Sequence, residues 1–548
     1  MKAGPMRMGM MRDSNSQEAK TDRSRVTVSP GTTQPFGRDG SKIRQASAKI
    51  LPCIACVTAA LLSGCQIGPK YVRPAAPAPP EFKEAAPAKY TNAPQGTWQP
   101  ANPQDAALKG KWWEIFHEPE LNALEDQLDI NNQNIAMFFQ DFMAARDVVR
   151  EVNSQFFPSL SGGPAYQRSK TPAAASGAVA SSTKGVTANT FQLTGDASWA
   201  PDLWGKIRNE VQESQYAAQV SAADLVGERL TEQASLAEFF FELRGQDSLQ
   251  RLYNQIVEAD QQTLTLTKAL LTTGIDDAQA VAEEEITLEN DEATAAGIAT
   301  NRAIYEHAIA VLIGKPASSF SMDVRDLTTP VPAIPVGMPS QLLERRPDIA
   351  AAERTLAEAN ALVGVEKTAF YPNVTITGGG GFESSTLGSL FSAPALFWSA
   401  GSSASELIFD AGLRRATVAQ YVAQYRADVA SYRETVLTAF QQVEDAIATL
   451  RVTSAQIQQQ DQAVHSAQHS LDLERSRYQT GIDPYLNVLS AETTLLNDQE
   501  LQVTSRITEI TAAVGLVEAL GGGWDTTQLP AASRITSKAA VRQVATTP

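Results

Sequence analysis

Cys65 is the residue whose surroundings point most directly to chemistry. It ends the motif Leu62-Ser63-Gly64-Cys65, which follows four basic residues and an apolar stretch of 13 residues, Ile50 to Leu62. This order is typical of a secretory signal, and the apolar stretch is too short to span a bilayer. The motif resembles a bacterial lipobox. We therefore predict that residues 1–64 are removed and that Cys65 is acylated on its thiol and its new amino group.

Other residue types that carry out chemistry are few. Cys53 and Cys56 form a Cys-x-x-Cys pair, but both lie inside the segment that we predict to be removed. Of the four histidines, only His465 and His469 share a helical face, and no third ligand accompanies them, so we predict no metal site. The sequence has no phosphate-binding loop, dinucleotide fingerprint or nucleophile elbow. We predict a protein that is not an enzyme and has no cofactor besides the lipid on Cys65.

The chain is acidic, with a formal net charge of −16. Residues 1–64 carry +6, so the mature chain would carry −22. No basic stripe remains that could bind nucleic acid, and none is predicted as a partner. The excess acidic residues have two interpretations, a solvated surface or the lining of a lumen that favours cations, and the sequence leaves both open.

A repeat with a shift of 207 residues organises the rest of the chain. Thr273-Gly274-Ile275-Asp276 reappears as Thr480-Gly481-Ile482-Asp483, and the same shift carries Gly205 onto Gly412. The second copy has no proline or glycine between Gly412 and Gly481, which predicts one helix of roughly 100 Å at about 1.5 Å per residue. A seven-residue recurrence in this segment favours a left-handed coiled coil. The recurring residues are Val422, Val429, Val436, Val443, Leu450, Ile457, Val464, Leu471 and Tyr478.

Each repeat also contains a predicted β-hairpin. A first predicted helix is introduced by Trp112-Trp113, has Glu118-Pro119-Glu120 in its first turn and runs to about Phe157. A second predicted helix runs from Ser340 to near Phe370, and each helix ends at an aromatic-proline step. Alternating apolar and polar residues then predict strands of about ten residues, long enough to cross a membrane, within 153–202 and 371–410.

Four strands cannot close a membrane barrel, and an open sheet edge is unstable in lipid, so several chains must combine. Three copies would close twelve strands and two would close eight. A barrel that continues into a hollow helical tube favours three, although the number of strands alone does not decide it.

The predicted fold is an α+β membrane protein with an internal duplication, in which a long coiled-coil tube is joined to strands of a shared barrel. Its predicted parts are a signal region 1–64, a lipidated proline-rich linker 65–110, a first repeat 111–322, a connector 323–339, a second repeat 340–522 and a C-terminal tail 523–548. The linker is expected to run extended along the outside of the body.

Several motifs together resemble one family. They are Gly68-Pro69-Lys70-Tyr71 after the lipobox, Trp112-Trp113, the LLERRPD stretch at 342–348, and Tyr478-x-x-Gly481. They are similar to motifs of the outer membrane factor lipoproteins of resistance-nodulation-division efflux systems, the NodT type of TolC-like proteins, over nearly all of residues 62–522. The resemblance implies a homotrimer with a twelve-stranded barrel in the outer membrane and a periplasmic helical tube. Such a trimer passively conducts small molecules that an inner-membrane transporter delivers through a periplasmic adaptor protein.

The resemblance also implies where the adaptor protein binds this duct and where the duct is closed. Gly274 and Gly481 would lie at helix turns of the periplasmic tip, where the adaptor docks. The further candidates for contact with the adaptor are Asp276, Tyr478 and Asp483. Relatives often carry acidic rings just beyond the tip, where this chain has Asn487 and Ser490. Asp277 and Glu284 are therefore further candidates for a constriction.

Each of these residues also has a plainer interpretation. The glycines would cap helices, Tyr478 would pack in the coiled-coil seam, and the glutamates around Glu284 would form a solvated helix face. Two other functions stay open as well, an outer-membrane channel for secreted proteins and a coiled-coil lipoprotein stalk without a pore. A stalk would have no reason to carry two amphipathic hairpins at equivalent places.

Overall fold

The structure is a computed structural model. It describes residues 66–76, 78–79, 82–84, 110–172, 186–274, 277–334 and 339–546. The predicted signal region and Cys65 lie outside the described residues. The described residues form two similar halves in succession, and in each half a helix, two strands, a very long helix and a return helix follow one another.

The first half contains α1 (Pro119–Asn131), α2 (Gln133–Ser154), β1 (Ser159–Thr171), β2 (Val186–Trp199), α3 (Lys206–Thr273) and α4 (Ala278–Leu312). The second half contains a helical turn (Leu342–Arg345), α5 (Pro347–Thr368), β3 (Asn373–Ser384), β4 (Leu396–Ser405), α6 (Leu413–Gln479) and α7 (Tyr485–Ala519). A last helix, α8 (Lys538–Thr546), follows the second half.

The long helices agree with the prediction from the repeat. The helix α3 has 68 residues and α6 has 67, while the return helices α4 and α7 have 35 each. All nine residues of the predicted heptad seam in α6 are buried or half-buried, so this face meets a partner helix along its whole length. None of the described helices is both long and apolar enough to cross a bilayer.

The helix α3 lies at the centre of the packing and contacts α2, α4, α5 and α7. Gly245, near its middle, lets α7 approach closely, since a Cβ atom at this position would lie 2.3 Å from Cδ1 of Ile507. The main hydrophobic core packs around α3. It includes Trp112, Trp113 and Phe116, which are almost completely buried.

The first predicted helix begins at Pro119, inside its predicted first turn, but the prediction of one uninterrupted helix to about Phe157 is wrong. Trp112–Phe116 form a short 3-10 turn, and Asn132 separates α1 from α2 with an extended backbone. Its side-chain oxygen caps α2 by accepting hydrogen bonds from the amides of Asn134 (2.8 Å) and Ile135 (3.0 Å). Its amide group donates to Glu232 of α3 and to the carbonyl of Leu312, each at 3.0 Å. The side-chain oxygen and the side-chain nitrogen of Asn132 thus both have hydrogen-bond partners in the arrangement in which the helix is interrupted.

The strands form one antiparallel sheet in the order β1-β2-β3-β4. The two predicted hairpins are present. Their first strands, β1 and β3, have 13 and 12 residues. The pairing of β2 with β3 joins the two halves of the chain. Within the described residues, β1 and β4 each pair on one side only. Large side chains on these two strands are exposed, among them Leu160, Tyr166 and Trp398. The sheet therefore has two open edges and an unusual amount of exposed apolar surface.

Candidate functional site: the helical tip

Each long helix reverses into its return helix at a glycine, as predicted. Gly274 has φ 75° and Gly481 has φ 70°, both in the left-handed region. The amide of Gly481 donates to the carbonyl of Tyr478, and the amide of Ile482 donates to that of Arg477, each at 2.9 Å. A Cβ atom at either glycine would meet nothing within 4 Å, so the backbone conformation alone calls for glycine. Asp276, beside Gly274, lies outside the described residues.

The return helices begin in two different ways. Asp277 is the N-cap of α4, and its carboxylate accepts hydrogen bonds from the amides of Gln279 (3.0 Å) and Ala280 (3.1 Å). The equivalent position before α7 is Pro484, which has no such side-chain bond. Asp277 therefore has a structural role in the helix end, and its part in a constriction stays a prediction.

Asp483 forms an ion pair across the second turn. The Nε of Arg477 donates a hydrogen bond to its carboxylate, and this bond lowers the pKa of Asp483 from its usual range. The pair ties the last turn of α6 to the loop before α7. Both groups are at the surface of this chain, where ion pairs contribute little to stability. Contact between Asp483 and an adaptor stays a prediction.

Tyr478 packs in a small apolar core at the second turn. Its ring lies 5.3 Å from that of Tyr485, measured between centroids. The buried members of this core are Ala280, Ala467, Leu471, Tyr485, Val488 and Leu495, and only Ala280 comes from the first half. The heptad position of Tyr478 had offered seam packing as its plainer role, and the observed contacts match it.

Glu284 is not on a solvated helix face. It is fully buried, and the hydroxyl of Tyr485 donates a hydrogen bond to its Oε2, while its Oε1 has no hydrogen-bond partner. Burial raises the pKa of Glu284 to about 7. The next residue, Glu285, is exposed and pairs with Lys268 at 2.8 Å. Asn487 and Ser490 are exposed on α7.

Sequence reasoning missed three further acidic residues around Glu284, which are Asp260, Asp291 and Glu492. Arg475, three residues before Tyr478, also lies beside Glu284 and donates to Oε1 of Glu492 at 2.7 Å. One signal was available, because the 207-residue shift carries Lys268 and Glu285 onto Arg475 and Glu492. In the described part of the chain, no three His, Cys, Asp or Glu side chains are arranged to hold a metal ion.

Aromatic residues mark the junction between the sheet and the helices. The indole of Trp199 donates to the carbonyl of Phe156 at 3.0 Å, and that of Trp204 donates to Pro372 at 2.8 Å. The rings of Trp204 and Tyr371 stack, with centroids 5.1 Å apart. Aromatic side chains with one polar end are typical of the membrane–water interface. Their position indicates that the sheet is the membrane-embedded part.

The segment that follows Cys65 begins at this junction. The amide of Ile67 donates to Trp204 at 3.1 Å, and the side chain of Gln66 donates to Asn209 at 2.6 Å. We call the described residues between 66 and 84 the strap. Farther along, Tyr71 donates to Glu353 of α5 at 2.6 Å.

The strap ends on α6. The backbone amides of Lys83 and Glu84 donate to the two carboxylate oxygens of Glu444, at 2.7 and 2.9 Å. Arg451 forms an ion pair with Glu84 at 2.5 Å. The described residues of the strap belong to no helix or strand, and their contacts run from the first half of the chain to the second. The extended course of the whole linker stays a prediction.

Comparisons with known proteins agree with this geometry. The model of the outer membrane efflux protein family matches residues 124–315 and 338–522, so it matches once in each repeat. The chain is 28% identical over 475 residues to the toluene efflux pump outer membrane protein TtgC of Pseudomonas putida, which covers 85% of this chain and 94% of that one. It is 28% identical over 482 residues to the cation efflux system protein CusC of Escherichia coli, with 87% and 99% covered.

A solved structure has the same fold. The outer-membrane channel OprN aligns with a TM-score of 0.75 at 26% identity, over 84% of this chain and 100% of that one. These findings confirm the predicted fold class, the outer-membrane location and the resemblance to efflux proteins, and they agree with the prediction that the chain is not an enzyme. The chain belongs to the outer membrane efflux protein family and is an outer-membrane component of an efflux pump.

Proposed function

We propose that three copies of this chain form a continuous passive duct from the periplasm to the outside of the cell. The observation that carries the proposal is the sheet with two open edges, β1 and β4, joined to helices of 68 and 67 residues. Pairing β1 of one chain with β4 of the next satisfies both edges, and three chains give twelve strands with a lumen. The long helices then continue the barrel as a tube.

In this proposal the tip is the docking site for a periplasmic adaptor protein that connects the duct to an inner-membrane resistance-nodulation-division transporter. Gly274, Asp276, Tyr478, Gly481 and Asp483 are the proposed contacts. Leu271, Ile482 and Leu486 are exposed apolar residues at the same turns, and they support the assignment because a partner that covers them removes apolar surface from water.

The lipid on Cys65 and the division into signal region, linker, repeats, connector and tail belong to the same proposal. Gln66 lies at the junction marked by Trp204, so an acyl chain on the preceding residue would lie at the level of the membrane surface. Intact-mass measurement of the purified protein should find an acylated chain that begins at Cys65. The Cys65→Ser variant should lose the acyl mass, and an unchanged acylated N-terminus in that variant would refute the assignment.

The substrate class is set elsewhere in the pump. The two relatives are named for an organic solvent and for cations, yet their identity to this chain is the same, 28%. We propose small molecules as cargo, with Asp277, Glu284, Asn487 and Ser490 as the candidates for a constriction around the lumen.

Two measurements test the duct. The mass of the full-length protein in detergent, after subtraction of the bound detergent, should be three times that of one chain. The same preparation should give discrete conductance steps in planar bilayers. A folded, monodisperse single chain without conductance would refute the proposal and would favour a stalk.

A further inference from the structure

Four carboxylic acids from three helices come together near the tip. They are Asp260 on α3, Glu284 and Asp291 on α4, and Glu492 on α7. We call them the acid cluster. Glu284 is 0% exposed, Asp260 6% and Asp291 9%. The cluster lies where the hairpin α3–α4 packs against the hairpin α6–α7.

Few groups of opposite charge face the cluster. Arg475 of α6 is the one cation that the described residues place against it, and it is already bonded to Glu492. Tyr485 of α7 donates to Glu284, and Tyr253 of α3 donates to Glu500 at 3.0 Å next to Asp291. Lys268 instead pairs with Glu285 at the surface. Four carboxyl groups therefore share one guanidinium group.

Three oxygens of the cluster lack any hydrogen-bond partner: Oδ2 of Asp260, Oε1 of Glu284 and Oε2 of Glu492. A buried carboxylate oxygen without a donor is unfavourable, and a protonated carboxyl group avoids much of that penalty. Asp291 also lies beside Asp260, and its negative charge raises the pKa of Asp260 further. The arrangement of these side chains therefore favours protonated carboxyl groups in the cluster.

The pKa is raised for all four members of the acid cluster. Burial raises the pKa of all four acids, and the neighbouring carboxylates raise those of Asp260 and Glu284 further. Groups whose pKa is raised by packing stabilise the packed arrangement at low pH, and this stabilisation is lost as the pH rises through the raised value. For Glu284 that value is about 7.

We infer that the acid cluster is a proton-dependent latch between the two tip hairpins. The hairpins pack as described while the cluster holds its protons, and loss of the protons pushes them apart. This inference rests on the proposed function, because separating the hairpins has a consequence for transport only if the tips surround a duct. Protons would then act on the same turns at which an adaptor docks.

The distance between the hairpins tests the latch directly. Spin labels at Thr272 and Ile482, both exposed, would report it in the full-length protein in detergent with a metal chelator. Dilution with unlabelled chains restricts the measurement to pairs within one chain. Between about pH 5 and about pH 9 the distance should increase, and the increase should be complete once the pH has passed the raised pKa values. A distance that does not change with pH would overturn the inference.

Variants identify the groups that respond. Asp260→Asn combined with Glu284→Gln imitates the protonated state and should abolish the pH response, leaving the distance at its low-pH value. Glu289→Gln combined with Glu292→Gln removes two exposed charges from α4 and should leave the response intact. An unchanged response in the first variant, or its loss in the control, would overturn the inference.

Tyr485→Phe gives a second, independent readout. The hydroxyl of Tyr485 stabilises the ionised form of Glu284, so its removal should move the midpoint to higher pH. A midpoint that stays in place would contradict the role of Glu284. These distances are measured whether or not the protein conducts ions, so failure of the latch and failure of the duct are distinguishable.

Discussion

The two tip hairpins share a backbone but differ in how they are held. Under the 207-residue shift, the ion pair of Lys268 with Glu285 (2.8 Å) becomes that of Arg475 with Glu492 (2.7 Å). The first pair is exposed on both sides, whereas the side chain of Glu492 is only 13% exposed. The same interaction therefore lies at the surface of one hairpin and inside the other.

Two substitutions between the repeats account for much of this difference. The positions of Leu271 and Ala278 in the first hairpin are occupied by Tyr478 and Tyr485 in the second. These two rings build the apolar core of the second tip, to which the first hairpin contributes Ala280. The helix reversals at glycine and the ion pair are therefore present in both repeats. The two tyrosines give the second hairpin an apolar core that the smaller residues of the first hairpin do not build.

The largest effect is expected from Tyr485→Ala, which gives the second tip the residue of the first. It removes a buried ring and the hydrogen bond to Glu284, at a cost of about 3 kcal/mol in local stability. Hydrogen exchange of the amides in 478–495 should accelerate accordingly, while the amides of 210–240 keep their protection. Unchanged protection in 478–495 would mean that the second tip does not depend on its core.

Arg475→Ala should destabilise its hairpin more than Lys268→Ala does. The first change leaves the largely buried Glu492 without its donor and should cost about 2 kcal/mol. The second removes an exposed ion pair and should cost less than about 0.5 kcal/mol. Denaturant midpoints of the two variants give the comparison, and equal losses would contradict the difference in burial.

Gly274→Ala and Gly481→Ala should cost about the same, roughly 1 to 2 kcal/mol each, because both glycines are left-handed and neither is crowded. Gly521→Ala should cost more, since its Cβ atom would lie 2.1 Å from the carbonyl oxygen of Arg345. Thermal unfolding of the three variants would check the order. A much larger loss at only one tip glycine would indicate a contact that the single chain lacks.

The smallest effect concerns the cap of the first return helix. Asp277→Ala should cost about 1 kcal/mol, because the amides of Gln279 and Ala280 lose their acceptor. Pro484→Ala at the equivalent position has no capping bond to lose and should change stability less. Exchange rates of the first-turn amides of α4 and α7 provide the readout, and equal changes in both helices would contradict the cap.

Much of the fold could be predicted because local rules determine it. The seven-residue recurrence in α6 indicated the buried seam, and Gly274 and Gly481 indicated the helix reversals, since both depend only on residues nearby in the chain. The break at Asn132 could not be predicted. Its partners Glu232 and Leu312 lie 100 and 180 residues away, and its own neighbours fit a continuous helix.

The acid cluster was hidden for a similar reason. Glu283, Glu284 and Glu285 look alike in the sequence, yet they are half-buried, buried and exposed in that order. Which of these glutamates is buried depends on the positions of Tyr485 and Asp260, which belong to other helices. The periodicity of α4 does not determine those positions. Carboxylates that belong to one cluster therefore looked like ordinary solvated residues.

The strap also has a consequence for how the protein is made. Its last contact joins Glu84 to Glu444, 360 residues farther along the chain. The N-terminal end crosses the inner membrane first, but the surface on which it docks exists only after α6 has been delivered. We expect the strap to stay undocked until α6 has been delivered, which would give the enzymes that attach lipid time to reach the cysteine that we propose to be acylated.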